Sequence, residues 1–377
     1  MKRELYSLFA TVFLLAFGMS FVSPLIPLLL KSIGASSASI GHIQTTYFLS
    51  FTITTTLLGR WIERAGSKKI ILCGLCIFGS AVLAMPYMPS YLPFYIIRIV
   101  QGVGSALLFA PTEAAINIIS PPERRGANMG MYGVVFAAGF AVGPGIGSSL
   151  YAINPSAPFI FGSLSCYAAA VVLAFGFSNV QVPVKKTDWG FLKIISNMKI
   201  PLGAAACYAV VEVAFGSFLA LYLDALEIRG ASLGIVFTFF AIGGALSPYP
   251  AGKIADRLSK RTVLKLCGIL LACATFSFNF FTSYWIICLL SFSIGVVAGA
   301  LYPVSLALIG EIVPPEKMGT ANASFSFFYG LGSIAGPLAT GWVLELFSVN
   351  QLFYPMTFSA FLFVIITFLE RPGADSC

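Results

Sequence analysis

The sequence predicts an all-α integral membrane protein of twelve transmembrane helices, arranged as two parallel six-helix pseudo-repeats. Three observations carry this. Of the 377 residues, 58% are hydrophobic and only 10% are charged, against roughly 25% charged in soluble domains, so the chain lacks the polar surface to face water on all sides. At roughly 20 apolar residues per membrane-crossing helix, its length has room for about a dozen crossings and little else. The sequence also repeats itself at an offset of 193 residues without a gap. A globular enzyme with a separate catalytic domain, a nucleic-acid-binding module and a secreted disulfide scaffold are excluded.

Each element follows from the punctuation of the apolar runs. In the first half, Gly, Pro and charged residues separate runs near 6–30, 40–59, 70–88, 91–119, 127–152 and 157–178. In the second they separate runs near 201–223, 231–251, 263–282, 284–313, 319–347 and 351–369. The opening run is too long for a signal-peptide core and ends without a cleavage-like site, so it is expected to persist as a helix. Residues 179–200 hold four lysines and Pro183 and read as a polar linker between a bundle at 1–178 and another at 201–377. Their stretch from Trp189 to Ile195 fits either a short interfacial amphipathic helix or an unstructured segment.

Charge sets the orientation. Of 22 Lys and Arg, nineteen fall in loops on one side, Lys31 and Arg229 on the other, and Arg98 within a span. Cationic loops stay cytoplasmic, so both termini are expected inside. The formal charge of +8 is thereby explained and requires no nucleic acid or other anionic partner. Seven of the eight cysteines lie in apolar runs and the one histidine is His42. Cys73 and Cys76, although spaced C-x-x-C, therefore lack the companions of a zinc-type site. No metal and no cofactor is expected.

The repeat aligns turns with turns. Ser39, Gly41, Gly59, Arg64 and Gly102 meet Ser232, Gly234, Gly252, Arg257 and Gly295, while Gly139, Gly143 and Pro144 meet Gly332, Gly336 and Pro337. These are positions where backbone geometry is constrained. Six helices return each half to its starting side, so the halves are parallel copies, the arrangement in which a central site opens alternately to either side.

Three motifs stand on this frame. After span two the chain reads Gly59-Arg-Trp-Ile-Glu63-Arg64-Ala-Gly66-Ser-Lys68-Lys69, and after span eight Gly252-Lys-Ile-Ala-Asp256-Arg257-Leu-Ser259-Lys-Arg261. Each is a tight cationic turn with an acid able to meet N–H groups at a neighbouring helix N-terminus. Span four reads Arg98-Ile-Val-Gln101-Gly102-Val-Gly104-Ser105. An arginine near mid-membrane costs roughly 2.5–3.5 kcal/mol on insertion scales and persists only beside a wet cavity or an acid; Gln101 and Ser105 share its face. Span five carries Gly130, Gly139, Gly143, Pro144 and Gly147, small residues that let helices approach closely and a proline that bends the helix.

Over nearly the whole chain, these motifs resemble those of the major facilitator superfamily. The turn is similar to its G-x-L-x-D-R-x-G-R-K signature, with Glu63 for Asp in the first copy and Ser259 for Gly in the second. The span-four residues are similar to R-x-x-Q-G-x-G, associated in that family with proton coupling. The span-five glycines resemble the antiporter motif of its drug:proton exporters. The resemblance implies a conformational latch of Gly59, Glu63 and Arg64 in one half and Gly252, Asp256, Arg257 and Glu311 in the other. Ile118 stands where the first half would need its counterpart of Glu311, which leaves that cluster incomplete. Span eleven has a similar run of Gly332, Gly336, Pro337 and Gly341, so plain helix packing also explains the glycines.

Two acids lie within spans, Glu113 in span four and Glu212 near the middle of span seven. A carboxyl partly removed from water is suited to exchanging its proton during a transport cycle. Glu113 lies roughly 22 Å along the helix from Arg98, too far to touch it. The expected function is proton-coupled antiport, an efflux of a small lipophilic or cationic molecule by alternating access. Arg98, Gln101, Glu113 and Glu212 are its coupling and cavity residues, and Tyr208, Phe215, Tyr302, Phe325 and Tyr329 are candidate lining. The alternatives are a proton symporter or facilitator importing a sugar or organic acid and, more distantly, a lipid flippase. An enzyme is not expected. The expected partners are the substrate, protons and the lipid bilayer, for a monomer in the inner cell membrane.

Overall fold

The computed structural model describes residues 2–58, 66–121, 124–180, 198–314 and 317–369. Gly59, Glu63 and Arg64 of the expected first latch, and the linker stretch from Trp189 to Ile195, lie outside them. Every regular element among the described residues is helical. The first half comprises α1 (Lys2–Val22), α2 (Ile26–Ser32), α3 (Ser37–Leu57), α4 (Ser67–Ala84), α5 (Pro93–Ile119), α6 (Arg125–Ile153) and α7 (Ala157–Gly176). The second comprises α8 (Lys199–Ala225), α9 (Ala231–Leu246), α10 (Pro248–Leu258), α11 (Lys260–Ser277), α12 (Tyr284–Ile312), α13 (Met318–Leu346) and α14 (Tyr354–Leu369).

Among the described residues, nine helical segments are long and apolar enough to cross a membrane, or ten when α9 and α10, bent by 42° at their junction, count as one. Helices α3 and α11 occupy expected spans but are more polar. Gln44, Thr52, Thr54, Thr55 and Thr56 dilute α3, and α11 opens with Lys260, Arg261 and Lys265.

The chain divides into two compact units, Met1–Lys185 with Glu227–Thr238, and Lys186–Leu226 with Phe239–Cys377. In the first, α1 packs chiefly on α6 and α7, and α5 on α3 and α4. In the second, α8 packs on α13, and α11 on α12 and α14. Glycines make the closest of these contacts possible. Gly139 faces the Phe13 carbonyl and Ala16 Cβ, and Gly143 faces the Phe17 carbonyl and Ser20. Gly332 faces the Ala206 carbonyl and Ala209 Cβ, and Gly336 the Val210 carbonyl. Phe13, Ala16 and Phe17 lie 193 residues before Ala206, Ala209 and Val210, so the sequence repeat is also a repeat of contacts.

Backbone torsions repeat at the same interval. Gly34 and Glu227 have φ of 85° and 60°, and Gly66 and Ser259 have 78° and 140°. Gly66 and Ser259 each precede a helix, α4 and α11. The end of α4 is finished by residues following α7: Asn179 Oδ1 accepts the Lys68 N–H at 3.1 Å and the Val180 carbonyl accepts the Ser67 N–H at 2.9 Å. The end of α11 is capped by Ser259 itself, whose Oγ accepts the Thr262 N–H at 3.2 Å. Holding a residue with a Cβ in such a conformation costs of order 1–3 kcal/mol, whereas exchanging a serine cap for glycine costs only a few tenths. Ser259→Gly is therefore expected to stabilise the second unit by about 1 kcal/mol, read as a higher thermal midpoint in detergent. A lower midpoint would mean that the cap outweighs the strain.

An aromatic core fills part of the second unit. Phe278 stacks on Phe353 with centroids 4.0 Å apart, Phe215 on Phe240 at 4.7 Å, and Tyr222 meets Phe353 edge-on at 5.2 Å. Phe215 is fully buried there, which corrects its expected place among cavity-lining residues.

Candidate functional site

Arg98 lies in the second turn of α5, about 12 Å of helix from its middle. Its side chain is 5% exposed. Nη1 donates to Gln101 Oε1 at 2.6 Å, and the guanidinium sits 4.6 Å from the Tyr47 ring centroid. The Tyr47 hydroxyl shares a hydrogen bond of 2.8 Å with Ser105 Oγ. Spacing explains the cluster, because Arg98, Gln101 and Ser105 recur on one helical face and α3 presents Tyr47 to it. Among the described residues no carboxylate pairs with Arg98; an amide and an aromatic face hold it. Its Nε and the buried Gln44 Oε1 of α3 lack hydrogen-bond partners among the described residues.

Glu113 lies further along α5 and is half-buried. The Tyr132 hydroxyl, from α6, donates to its Oε1 at 3.2 Å. Beside the pair is a small cavity lined by Val12, Leu15, Leu108, Thr112, Tyr132 and Phe136. Phe109 meets Phe136 edge-on, and Phe136 stacks on Phe140. Sequence reasoning missed Tyr132, although a signal existed. Glu113 and Tyr132 lie about equally far from the Pro121-Pro122 turn, so an antiparallel helix pair brings them to one depth.

Glu212 stands at the midpoint of α8, half-buried among tyrosines. The Tyr329 hydroxyl, from α13, donates to its Oε2 at 2.9 Å, and Tyr208 lies one turn earlier on α8 with its ring centroid 5.9 Å from that of Tyr329. Tyr302 of α12 completes the group, with its ring centroid 5.7 Å from Tyr208 and 5.1 Å from Phe325. Tyr302 is 39% exposed, so one side of the carboxyl site is open. The acid therefore has a hydrogen-bond donor on a neighbouring helix and an aromatic wall around it.

Asp256 and Glu311, expected latch residues of the second half, both meet a lysine. Lys260 bonds Glu311 and lies 3.6 Å from Asp256 Oδ1, so Lys260 joins the two acids where Arg257 was expected to. The Glu311 carboxylate holds the Lys260 ammonium above the usual lysine range. Both acids are exposed, and exposed pairs contribute only about 0–1 kcal/mol. Gly252 has open space where a Cβ would stand and makes no tight turn contact.

Of the span-five glycines, Gly139, Gly143 and Gly147 press on α1, the last against Phe21. Gly130 meets nothing within 4 Å of a built Cβ, which corrects its expected packing role. The stretch around Pro144 also meets the start of α9, where Gly234 faces the Pro144 carbonyl and Gly145. Thr238 Oγ1 donates to the Ala141 carbonyl at 2.9 Å. Thr340 occupies the position matching Gly147 in the second half, so the Gly147 contact belongs to the first half alone.

Comparison with known proteins adds the following. The profile of the Major Facilitator Superfamily matches residues 8–200 and again residues 201–376. Quinolone resistance protein NorA of Staphylococcus aureus is 25% identical over 358 residues, 92% of this chain and 91% of its own length. Multidrug resistance protein 2 of Bacillus subtilis is 24% identical over 372 residues, 95% and 92% of the two chains. Among solved structures, a bacterial homologue of the human lysosomal transporter Spinster, inward-facing and occupied, superposes with a TM-score of 0.80 at 15% identity. That match covers 97% of this chain and 95% of the other.

Proposed function

The chain belongs to the major facilitator superfamily, and from that premise we propose that this membrane transporter expels a small lipophilic or cationic molecule in exchange for protons, by alternating access. The observation that carries the proposal is Glu212 at mid-helix, held by Tyr329 at 2.9 Å within an aromatic group that is open on one side. A carboxylate attracts a cation and, when protonated, releases it, so one group can bind either cargo or proton but not both. Glu113 with Tyr132 offers a second carboxyl of the same kind in the first unit, while Arg98 and Gln101 fix the polar face of α5. The similarity to a quinolone resistance protein and a multidrug resistance protein supports export of drug-like molecules. The cytoplasmic placement of both termini in the cell membrane rests on the charge asymmetry of the loops.

The test is a substrate panel in everted membrane vesicles, with and without an imposed pH gradient. Gradient-dependent accumulation of a lipophilic cation or a quinolone is expected. Gradient-driven movement of a sugar or an organic acid alone would support symport instead, and movement of labelled lipid alone would support a flippase.

A further inference from the structure

Helix α10 begins at a break in the apolar run of the eighth expected span. Pro248 and Pro250 carry no backbone N–H, and the chain bends by 42° between α9 and α10. Thr55 and Leu57 occupy the matching positions, and α3 runs unbroken to Leu57. Along α10, helical spacing turns Ala251 and Ala255 inward, where both are buried. Ile254 and Leu258 form the adjoining strip and are 49% and 59% exposed. Lys253 and Arg257 form the strip beyond, and the Lys253 ammonium lies 4.5 Å from the ring centroid of the exposed Tyr249. A helix end with one apolar and one cationic strip is suited to the membrane interface, where acyl chains meet charged headgroups.

Charge identifies what meets it. Residues 253–265 contain Lys253, Arg257, Lys260, Arg261 and Lys265 against Asp256 alone. Lys260 engages both Asp256 and Glu311, which leaves Lys253 and Arg257 as a cationic pair beside the apolar strip. We propose that α10 reaches the bilayer interface and there binds an anionic phospholipid, with its phosphate at Lys253 and Arg257 and its acyl chain against Ile254 and Leu258. The inference is independent of the transported substrate.

The experiment titrates fluorescent phosphatidylglycerol, and phosphatidylcholine as the uncharged reference, into the purified full-length protein in detergent at low salt. The wild type is expected to prefer phosphatidylglycerol. The Lys253→Gln/Arg257→Gln variant should lose roughly fivefold in affinity per cation, with phosphatidylcholine binding unchanged. Lys253→Arg/Arg257→Lys should retain the preference, and Ile254→Ser/Leu258→Ser should weaken both lipids. If the double Gln variant does not survive purification, Lys253→Gln alone is read against the same roughly fivefold loss. The proposal is overturned if the wild type binds the two lipids equally or if the Gln variants keep the full preference. It is equally overturned if soluble glycerol phosphate displaces the lipid as well as lipid itself does, since the site would then be one for free phosphate.

Discussion

Glu212→Gln is expected to bring proton-driven flux down to that of protein-free vesicles while leaving the protein folded. Gln keeps the size of the side chain and an oxygen to accept the Tyr329 hydroxyl, placed at 2.9 Å from Oε2 in the native protein, but it carries no exchangeable acid proton. The substitution therefore separates titration from architecture. Tyr329→Phe is the complementary change. It keeps the acid and removes one donor to it, a loss of about 1–3 kcal/mol for a buried partner, and should lower flux only partly while displacing its pH profile. Proteoliposomes with an imposed pH gradient provide the measurement. Gradient-driven flux that survives in both Glu212→Gln and Glu113→Gln would defeat proton coupling through these acids.

Gly139→Val is expected to lower the yield and thermal midpoint of the protein sharply. A Cβ at Gly139 already stands 2.7 Å from the Phe13 carbonyl oxygen and 3.0 Å from Ala16 Cβ, and the first of these is backbone, which cannot rotate away. Overpacking of this kind costs about 1–3 kcal/mol or more, and valine adds two further methyl groups. Gly332→Val should behave alike, because Ala206 and Ala209 face it in the same manner. Gly130→Ala is the control. With open space at that position, alanine should be neutral or stabilise the helix by about 0.5–1 kcal/mol. Equal midpoints for Gly139→Val and Gly130→Ala would contradict the packing described.

Much of this architecture was legible in the sequence because it rests on backbone constraints. The 193-residue offset located the positions whose glycines, or strained substitutes such as Ser259, the two units use in common. The polar stripe of Arg98, Gln101 and Ser105 followed from helical spacing. Side-chain partners were harder to read. A helix that is apolar all round has no periodicity to show which face is buried, so Phe215 and Tyr208, on one helix and less than two turns apart, could not be assigned to core and site. Lys260 was overlooked because the motif directs attention to Arg257, yet its i,i+4 relation to Asp256 was visible. The break before Pro248 was hidden by an apolar run that continues through it.

The paired glycine seams have a mechanical consequence. Where α1 meets α6, and α8 meets α13, main chain rests on main chain at two successive turns, with no long side chain between them to act as a lubricant. Such a joint resists shear, because a slip of a fraction of a turn would drive Cβ atoms into carbonyl oxygens. Each pair behaves as a girder, and the deformation that accompanies a transport cycle must be absorbed by the more loosely joined neighbours, the α6–α7 and α13–α14 contacts among them.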